Sequence, residues 1–329
     1  MTGSSVDVVS GTQSGASAAQ PHVDQLVAIC ACTYKRPVML EACLASLVSQ
    51  KPIGNMRYRI IVVDNDSERS GESAARRFGP DIAYFVELKR GISFARNAAL
   101  MAASDLGADW IAFIDDDEIA DTSWLAELMS SDYFSVAILR GYRILQAPQP
   151  APYWDVAGRS KKPIEGEFCH TAYTHNVRFS RAVVDKGFKF DERLALSGGE
   201  DVDFFTRARK AGFEIRQTAR AITFEAIHPE RLTFLRQCQE SYWIAAANIR
   251  ESIVRQGLAT TLVSKLHTIP LNLFLGPLLI MFSPFALPLG PCAFKKMALT
   301  GGDKIARAIG RAAALLGHIP SPYKNIDGK

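Results

Sequence analysis

Cysteine is scarce in this chain of 329 residues: there are six, and no two form a C-x-x-C pair. Cys30 and Cys32 sit inside an apolar run, so the thiols read as buried side chains in a reducing compartment rather than as metal ligands or disulfides. Residues 1–24 lack a basic segment followed by an apolar core, and Asp7 and Asp24 are their only charges. The expectation there is a flexible Ser/Gly/Ala-rich leader, not a secretory signal. Also missing is a glycine-rich turn after the first strand, where Thr33-Tyr34-Lys35-Arg36 stands instead. That speaks against a dehydrogenase, which needs G-x-G-x-x-G there, and against a sugar-phosphate nucleotidyltransferase, which needs a triphosphate loop. No short repeat of solenoid period is present, and no recognised nucleic-acid-binding module accompanies the basic residues. Finally, residues 266–294 contain no Lys, Arg, Asp or Glu.

What is present reads as an ordinary globular chain, 48% hydrophobic and 22% charged, long enough to bury a core without staples. Leu26 to Cys32 is a continuous apolar run, as expected for a strand covered on both faces. Pro37 suits a helix start, and Leu40, Leu44 and Leu47 give that helix a buried stripe. Further strands are expected at Ile60 to Val63, Ile82 to Val86 and Trp110 to Ile114, with helices over Ser93 to Leu106, Val202 to Ala211 and Arg231 to about Arg255. Strands alternating with helices predict an α/β fold with a mostly parallel sheet. Leu145 to Pro163, with four prolines, predicts an excursion over the site.

Asp115-Asp116-Asp117 directly follows the apolar run Trp110 to Ile114. Strand C-termini in open α/β sheets point into the ligand crevice, and carboxylates two apart there can share a hard divalent cation against diphosphate oxygens. A solvated turn or a helix cap is the competing reading of the triplet alone. Asp201 follows Gly198-Gly199-Glu200 at a helix start, where it can act as N-cap, as general base, or as both.

Taken in order, Thr33-Tyr34-Lys35-Arg36-Pro37, Asp64-Asn65-Asp66-Ser67, Gly91-Ile92-Ser93-Phe94-Ala95-Arg96-Asn97, the acidic triplet and Gly198-Gly199-Glu200-Asp201-Val202-Asp203 resemble the family-2 glycosyltransferases of GT-A fold. The resemblance covers roughly residues 26–255 and leans toward the bacterial branch with the succinoglycan-type glucosyltransferases. It implies a Rossmann-like nucleotide-sugar-binding domain over residues 25–255. It places Thr33, Arg36 and Asp64 at the nucleotide, Gly91, Arg96 and Asn97 beside it, and Asp115 and Asp116 facing the nucleotide sugar. Asp115 and Asp117 would hold Mn2+ or Mg2+, with His228 completing the metal site, although a packed loop histidine is the plainer reading of His228. Asp201 matches the catalytic base, with Glu200 beside it, and Arg231 could instead reach the diphosphate. His170 and His175 near the acceptor side read as structural, and Trp124 as core. Trp154 and Tyr153 are candidates for stacking on sugars.

The C-terminal region, residues 256–329, carries the uncharged stretch and then a basic segment. Seven Lys or Arg against two Asp after residue 294 leave residues 1–294 at −1 out of a total of +4. Pro270, Pro277, Pro284 and Pro291 recur every seven residues, which predicts a bent or re-entrant hairpin. Ile305, Ile309, Ala312 and Leu316 form an apolar stripe opposite Lys304, Arg307 and Arg311, the pattern of an amphipathic helix in a membrane surface. Packing of the Pro-rich stretch on the catalytic domain is the alternative. The expectation is an inverting, metal-dependent transfer from a UDP-sugar, with UDP-glucose first, to a growing, lipid-linked oligosaccharide at the cytoplasmic face of a bacterial membrane. A non-catalytic scaffold of a polysaccharide assembly is the rival, against which the intact Asp115, Asp117 and Asp201 count. No nucleic-acid partner is expected, and the oligomeric state is open.

Overall fold

The computed structural model describes residues 25–150, 152–155 and 162–318. The leader expected over 1–24, the centre of the Pro-rich excursion at 156–161 and the last basic residues lie outside them. Strands β1 (Leu26–Thr33), β2 (Arg57–Asp64), β3 (Ile82–Val86), β4 (Trp110–Asp115), β5 (Glu118–Ala120), β6 (Ile138–Gln146), β7 (Asn176–Ser180) and β8 (Ile215–Ala226) form one sheet in the order 3-2-1-4-7-6-8-5. On it pack α1 (Pro37–Val48), α2 (Glu72–Arg76), α3 (Ile92–Asp105), α4 (Trp124–Leu128), α5 (Ala182–Asp185) and α6 (Glu200–Lys210).

Every residue of β1 from Val27 to Ala31 is fully buried, because the sheet is covered on both sides. Val27, Ile29 and Ala31 join the core under α1, while Ala28 and Cys30 join the core under α3 and α6. The leucine stripe of α1, Leu40, Leu44 and Leu47, enters the first of these cores. Such positions typically lose about 2–5 kcal/mol on truncation to alanine.

β1 to β4 are parallel, and their register sets Thr33 opposite Asp64 and Cys32 opposite Asp115. Three candidate residues or their neighbours therefore reach one edge of the sheet from three separate strands. Beyond β4 the expectation of a mostly parallel sheet needs correction. β7 runs antiparallel to both β4 and β6, and β5 runs antiparallel to β8. The sheet is mixed. The reason lies in the short connections and reversals after β4, where no crossover helix separates β4 from β5, and β6 returns to β7 through a long loop. Antiparallel β7 starts where β4 ends, with Asn176 opposite Ile114, and this delivers residues 171–175 to the site.

The C-terminal part is helical: α7 (Phe234–Gln256), α8 (Leu258–Lys265), α9 (Thr268–Phe282), a 3-10 segment (Ser283–Leu289) and α10 (Pro291–Leu315). The hairpin expected of residues 266–294 does not form within them: Leu258–Leu289 runs on as one helical stretch, and the chain reverses only near their end, at Gly290, φ +106°, into α10. Pro284 and Pro291 open their segments, where a missing N–H costs nothing, and Pro277 lies inside α9. α10 returns along α9 and α7 on glycines. A Cβ at Gly301 would meet the Gly276 carbonyl at 2.7 Å, and one at Gly310 would meet the Tyr242 carbonyl at 2.3 Å. The inward face of α10 is thus Ala298, Gly301, Gly302 and Ala308, while Ile309 and Leu316 of the expected apolar stripe stay exposed and Ile305 lies against Gly276.

Candidate active site

The site assembles where β1, β2 and β4 end and α6 begins. Asp116 is buried and accepts from Thr33 Oγ1 at 2.7 Å and from Arg36 Nη1 at 3.2 Å. The same guanidinium nitrogen reaches Asp117 Oδ2 at 3.2 Å. Thr33 and Arg36 are therefore joined to the acidic triplet. Burial pushes the Asp116 carboxyl up to about 7, opposed by the Arg36 charge. Asp115 is raised to about 6, again by burial first, with Arg96 opposing and Asp117 adding to the rise.

Arg96 is the hub of the other half. It is buried on α3, and its guanidinium contacts Glu200 directly and lies 3.5 Å from Asp115 Oδ1. Burial raises Glu200 to about 7, with the Arg96 charge opposing and the adjacent Asp201 adding to the rise. Asp201, in the first turn of α6, is also raised by burial. The Arg96 charge and N–H bonds from the backbone, Val202 and Thr174 among them, pull it back. Gly198 and Gly199, both at positive φ (+78° and +89°), make the turn that starts α6 here. Asp201 accepts from Val202 N at 2.7 Å within the helix, and the N-cap expected of Asp201 falls instead on Gly199, which has no side chain to cap with.

Three expected nucleotide residues are committed to internal bonds. Asp64 is fully buried and accepts from Gly71 N at 2.6 Å, Tyr84 Oη at 2.7 Å and Asp66 N at 2.9 Å. Asn97 brackets Phe190, donating to its carbonyl at 3.0 Å and accepting from its N–H at 2.8 Å. Gly91 takes φ +139°, donates its N–H to Asn65 Oδ1 at 2.6 Å, and lies so near Ala195 that a Cβ would meet Ala195 Cβ at 2.5 Å. These residues shape the pocket wall as placed. Asn65, which sequence reading quoted and gave no role, holds that wall from inside through Glu87 and Lys89 carbonyls, both at 2.8 Å.

His228 does not join Asp115 and Asp117. It stands exposed at the start of the 3-10 turn Pro229–Leu232, and no group of three or more His, Cys, Asp or Glu side chains gathers as a metal cage among the described residues. The cause is local. Arg231 of the same turn is held by Glu225 at 2.7 Å and Glu240 at 3.2 Å, which leaves the turn on the α7 side and takes Arg231 from the diphosphate role as well. Trp154 and Tyr153 also pack elsewhere than a sugar groove. The Trp154 ring lies 5.0 Å from Phe234, and Lys295 Nζ sits 3.9 Å above the Tyr153 ring. Trp124 is core, fully buried, donating to Asn176 Oδ1 at 2.9 Å.

Comparison with known proteins fits this geometry. Residues 28–150 match the model of Glycosyl transferase family 2. Over 240 residues the chain is 33% identical to the succinoglycan biosynthesis protein ExoM of Rhizobium meliloti (strain 1021), covering 70% of this chain and 72% of that protein. The chain belongs to the family-2 glycosyltransferases. A solved mannosyltransferase, PcManGT from Pyrobaculum calidifontis in complex with GDP-Man and Mn2+, superposes with a TM-score of 0.56 over 87% of this chain and 86% of its own, at 16% identity. The shared architecture is the GT-A fold.

In this glycosyltransferase the donor set fits a hard divalent cation as far as Asp115 and Asp117 go. Both offer carboxylate oxygens, and burial together with the Asp117 charge raises the cost of charging Asp115, a cost that a cation would offset. Arg36 supplies part of that counter-charge in the described structure, at Asp117. The residue missed most clearly is Glu118, fully buried on β5 and facing Arg143 and His175. The signal for it was an acid continuing the triplet into an apolar strand.

Proposed function

We propose that this glycosyltransferase moves a hexosyl group from a UDP-sugar, UDP-glucose first, to a growing, lipid-linked oligosaccharide of a bacterial exopolysaccharide, with inversion at the transferred carbon. The observation that carries the reading is Arg96, which ties Asp115 on β4 to Glu200 on α6 and so sets the strand-end acids against Asp201. Asp201 accepts the proton of the acceptor hydroxyl. The hydroxyl oxygen bonds to the anomeric carbon from the face opposite the leaving group, and the bond to the diphosphate oxygen breaks. Partial burial suits Asp201 to this, since it lifts the carboxyl toward a useful basicity while Val202 N–H keeps it oriented. Asp115 and Asp117 would hold Mn2+ or Mg2+, which when bound offsets charge on the departing diphosphate. Thr33 and Arg36 fix Asp116 beneath them.

The membrane part of the reading rests on the C-terminal helices. Leu258–Leu289 is long and apolar enough to cross a membrane, with mean hydropathy 1.7 and only 17% of its most apolar window buried. Residues 266–294 carry no charge, with Lys265 before them and Lys295-Lys296 after, an uncharged stretch bounded by basic residues as expected at an anionic membrane surface. A screen of UDP-, GDP- and TDP-hexoses with Mn2+, reading nucleoside diphosphate release and the anomeric configuration of the product, tests the function. UDP release from UDP-glucose with an inverted product is expected. Release from another donor alone overturns the donor, and a retained anomer overturns the mechanism.

A further inference from the structure

Behind Asp115 lies a second polar group that the transfer reading leaves unused. Glu118 is fully buried, and neither of its oxygens has a hydrogen bond of ordinary geometry among the described residues. The groups turned toward it are His175 Nδ1 at 3.5 Å, Arg143 Nη1 at 3.8 Å and the Thr223 hydroxyl. A buried carboxyl with no hydrogen bond of ordinary geometry is costly and calls for an explanation.

His175 is the neighbour that bears on it. Its Nδ1 is buried and also lacks a hydrogen bond, yet 19% of its side chain is exposed, so the open part of the ring is the edge away from Glu118. The ring lies flat on Tyr173, with centroids 5.6 Å apart and planes 11° from parallel, and Arg140 sits 5.3 Å from the Tyr173 centroid. The imidazole is thereby held from the back and from one side. Its place on the chain is equally defined. β7 begins beside the end of β4, with Asn176 opposite Ile114, so His175 arrives next to Asp115. The preceding residue, Thr174, bonds Asp201 through its backbone.

We infer that His175, braced by Glu118 and Tyr173, binds the acceptor sugar, its open ring edge taking a hydroxyl that neighbours the one Asp201 deprotonates. The inference rests on the transferase reading with Asp201 as base. Imidazole suits the task because its neutral form carries one donor and one acceptor, matching a hydroxyl in either sense. With Nδ1 turned toward Glu118 and making no hydrogen bond, Nε2 is the ring nitrogen left to meet the hydroxyl. Burial, together with the charges of Arg143, Arg140 and Arg96, holds the His175 pKa well below its ordinary value and so keeps the ring neutral. A site built this way separates sugars by the presence and direction of one hydroxyl.

The test uses the full chain with UDP-glucose as donor and 4-nitrophenyl β-glucoside and β-galactoside as acceptor probes. His175→Phe keeps the stack on Tyr173 and loses the polar edge, so the acceptor KM should rise about tenfold while UDP affinity, read by calorimetry, stays within about twofold. His175→Asn should recover part of the loss. An unchanged KM, or UDP affinity falling in step with it, overturns the assignment. The His175 imidazole resonance, identified by its absence in His175→Phe, should move saturably when either glycoside is added with UDP present, and no movement with both overturns the proposal regardless of turnover. Asp201→Asn separates the two readings. If transfer survives in that variant the base is misassigned, whereas the His175 resonance still reports acceptor contact by itself.

Discussion

α1 and the stretch from α8 to the 3-10 segment are both apolar, and they spend that character in opposite ways. Leu40, Leu44 and Leu47 of α1 are fully buried, whereas Leu271, Leu273, Phe274, Phe285 and Leu289 are between 45% and 82% exposed. α1 has a sheet to lie on; among the described residues α9 lies on the thin glycine face of α10 and α8 touches α7. Apolar composition therefore makes a core only where the topology supplies a partner surface, and an exposed apolar face of this extent marks a contact with something outside the chain. Over residues 26–226 the sheet supplies that partner surface on both of its sides. In the C-terminal region α9 and α10 meet through small residues, Gly276 on Gly301, the kind of packing helices use when apolar burial offers little drive.

The largest expected effect lies wholly in the first region. Asp201→Asn keeps shape and removes the base, so single-turnover transfer should fall by about a hundred- to ten-thousand-fold, with vesicle binding unchanged. Transfer surviving within about tenfold moves the base to Glu200 or Asp203. The second effect lies wholly in the other region. Phe274 and Phe285 are 65% and 76% exposed, so the double variant Phe274→Glu, Phe285→Glu should fold as before. Each aromatic contributes on the order of 1.5–3 kcal/mol when taken from water, and partition into phosphatidylglycerol vesicles should drop by about a hundredfold or more. UDP-glucose hydrolysis should persist. Sedimentation of the double variant with vesicles as well as wild type would make the exposed face a protein contact and dissolve the contrast.

How much of this was legible beforehand differs along the same line. Strands β1 to β4 and helix α1 were readable because consecutive apolar residues, Pro37 and the leucine spacing are local signals. So were Asp115, Asp116 and Asp117, since a charged triplet after a buried run is conspicuous. The antiparallel return of β7 was not, for no local residue pattern states which strand pairs with which. With it went the role of His175, which the sequence placed near the acceptor side but as a structural histidine, until register set it beside the end of β4. His228 stands apart from the acids for a local reason, since Glu225 and Glu240, six and nine residues from Arg231, hold its turn. On the C-terminal side a reversal was foreshadowed by prolines, but as a hairpin contained within residues 266–294 rather than as a turn into α10 at Gly290, near their end. The glycines that pack it were not, because an interior Gly reads as weakness until its neighbour is known.

The smallest effects test whether the two regions also differ in how tightly their turns are packed. Gly91 and Gly290 both adopt positive φ, +139° and +106°, and both precede a helix. An alanine at either therefore meets backbone strain, of the order of 1–3 kcal/mol. Only Gly91 adds a clash, since its Cβ would fall 2.5 Å from Ala195 Cβ and 3.0 Å from the Ala195 carbonyl, whereas Gly290 has nothing within 4 Å. Overpacking of that kind costs a further ~1–3 kcal/mol. Gly91→Ala should accordingly lower the melting temperature more than Gly290→Ala does, and it should weaken UDP binding by displacing the loop that Asn65 holds. Gly290→Ala should leave UDP affinity alone and shift the melting temperature by only a few degrees. Equal shifts would mean that the turn at Gly290 is as constrained as the one at Gly91, and that the reversal into α10 is seated against protein rather than lipid.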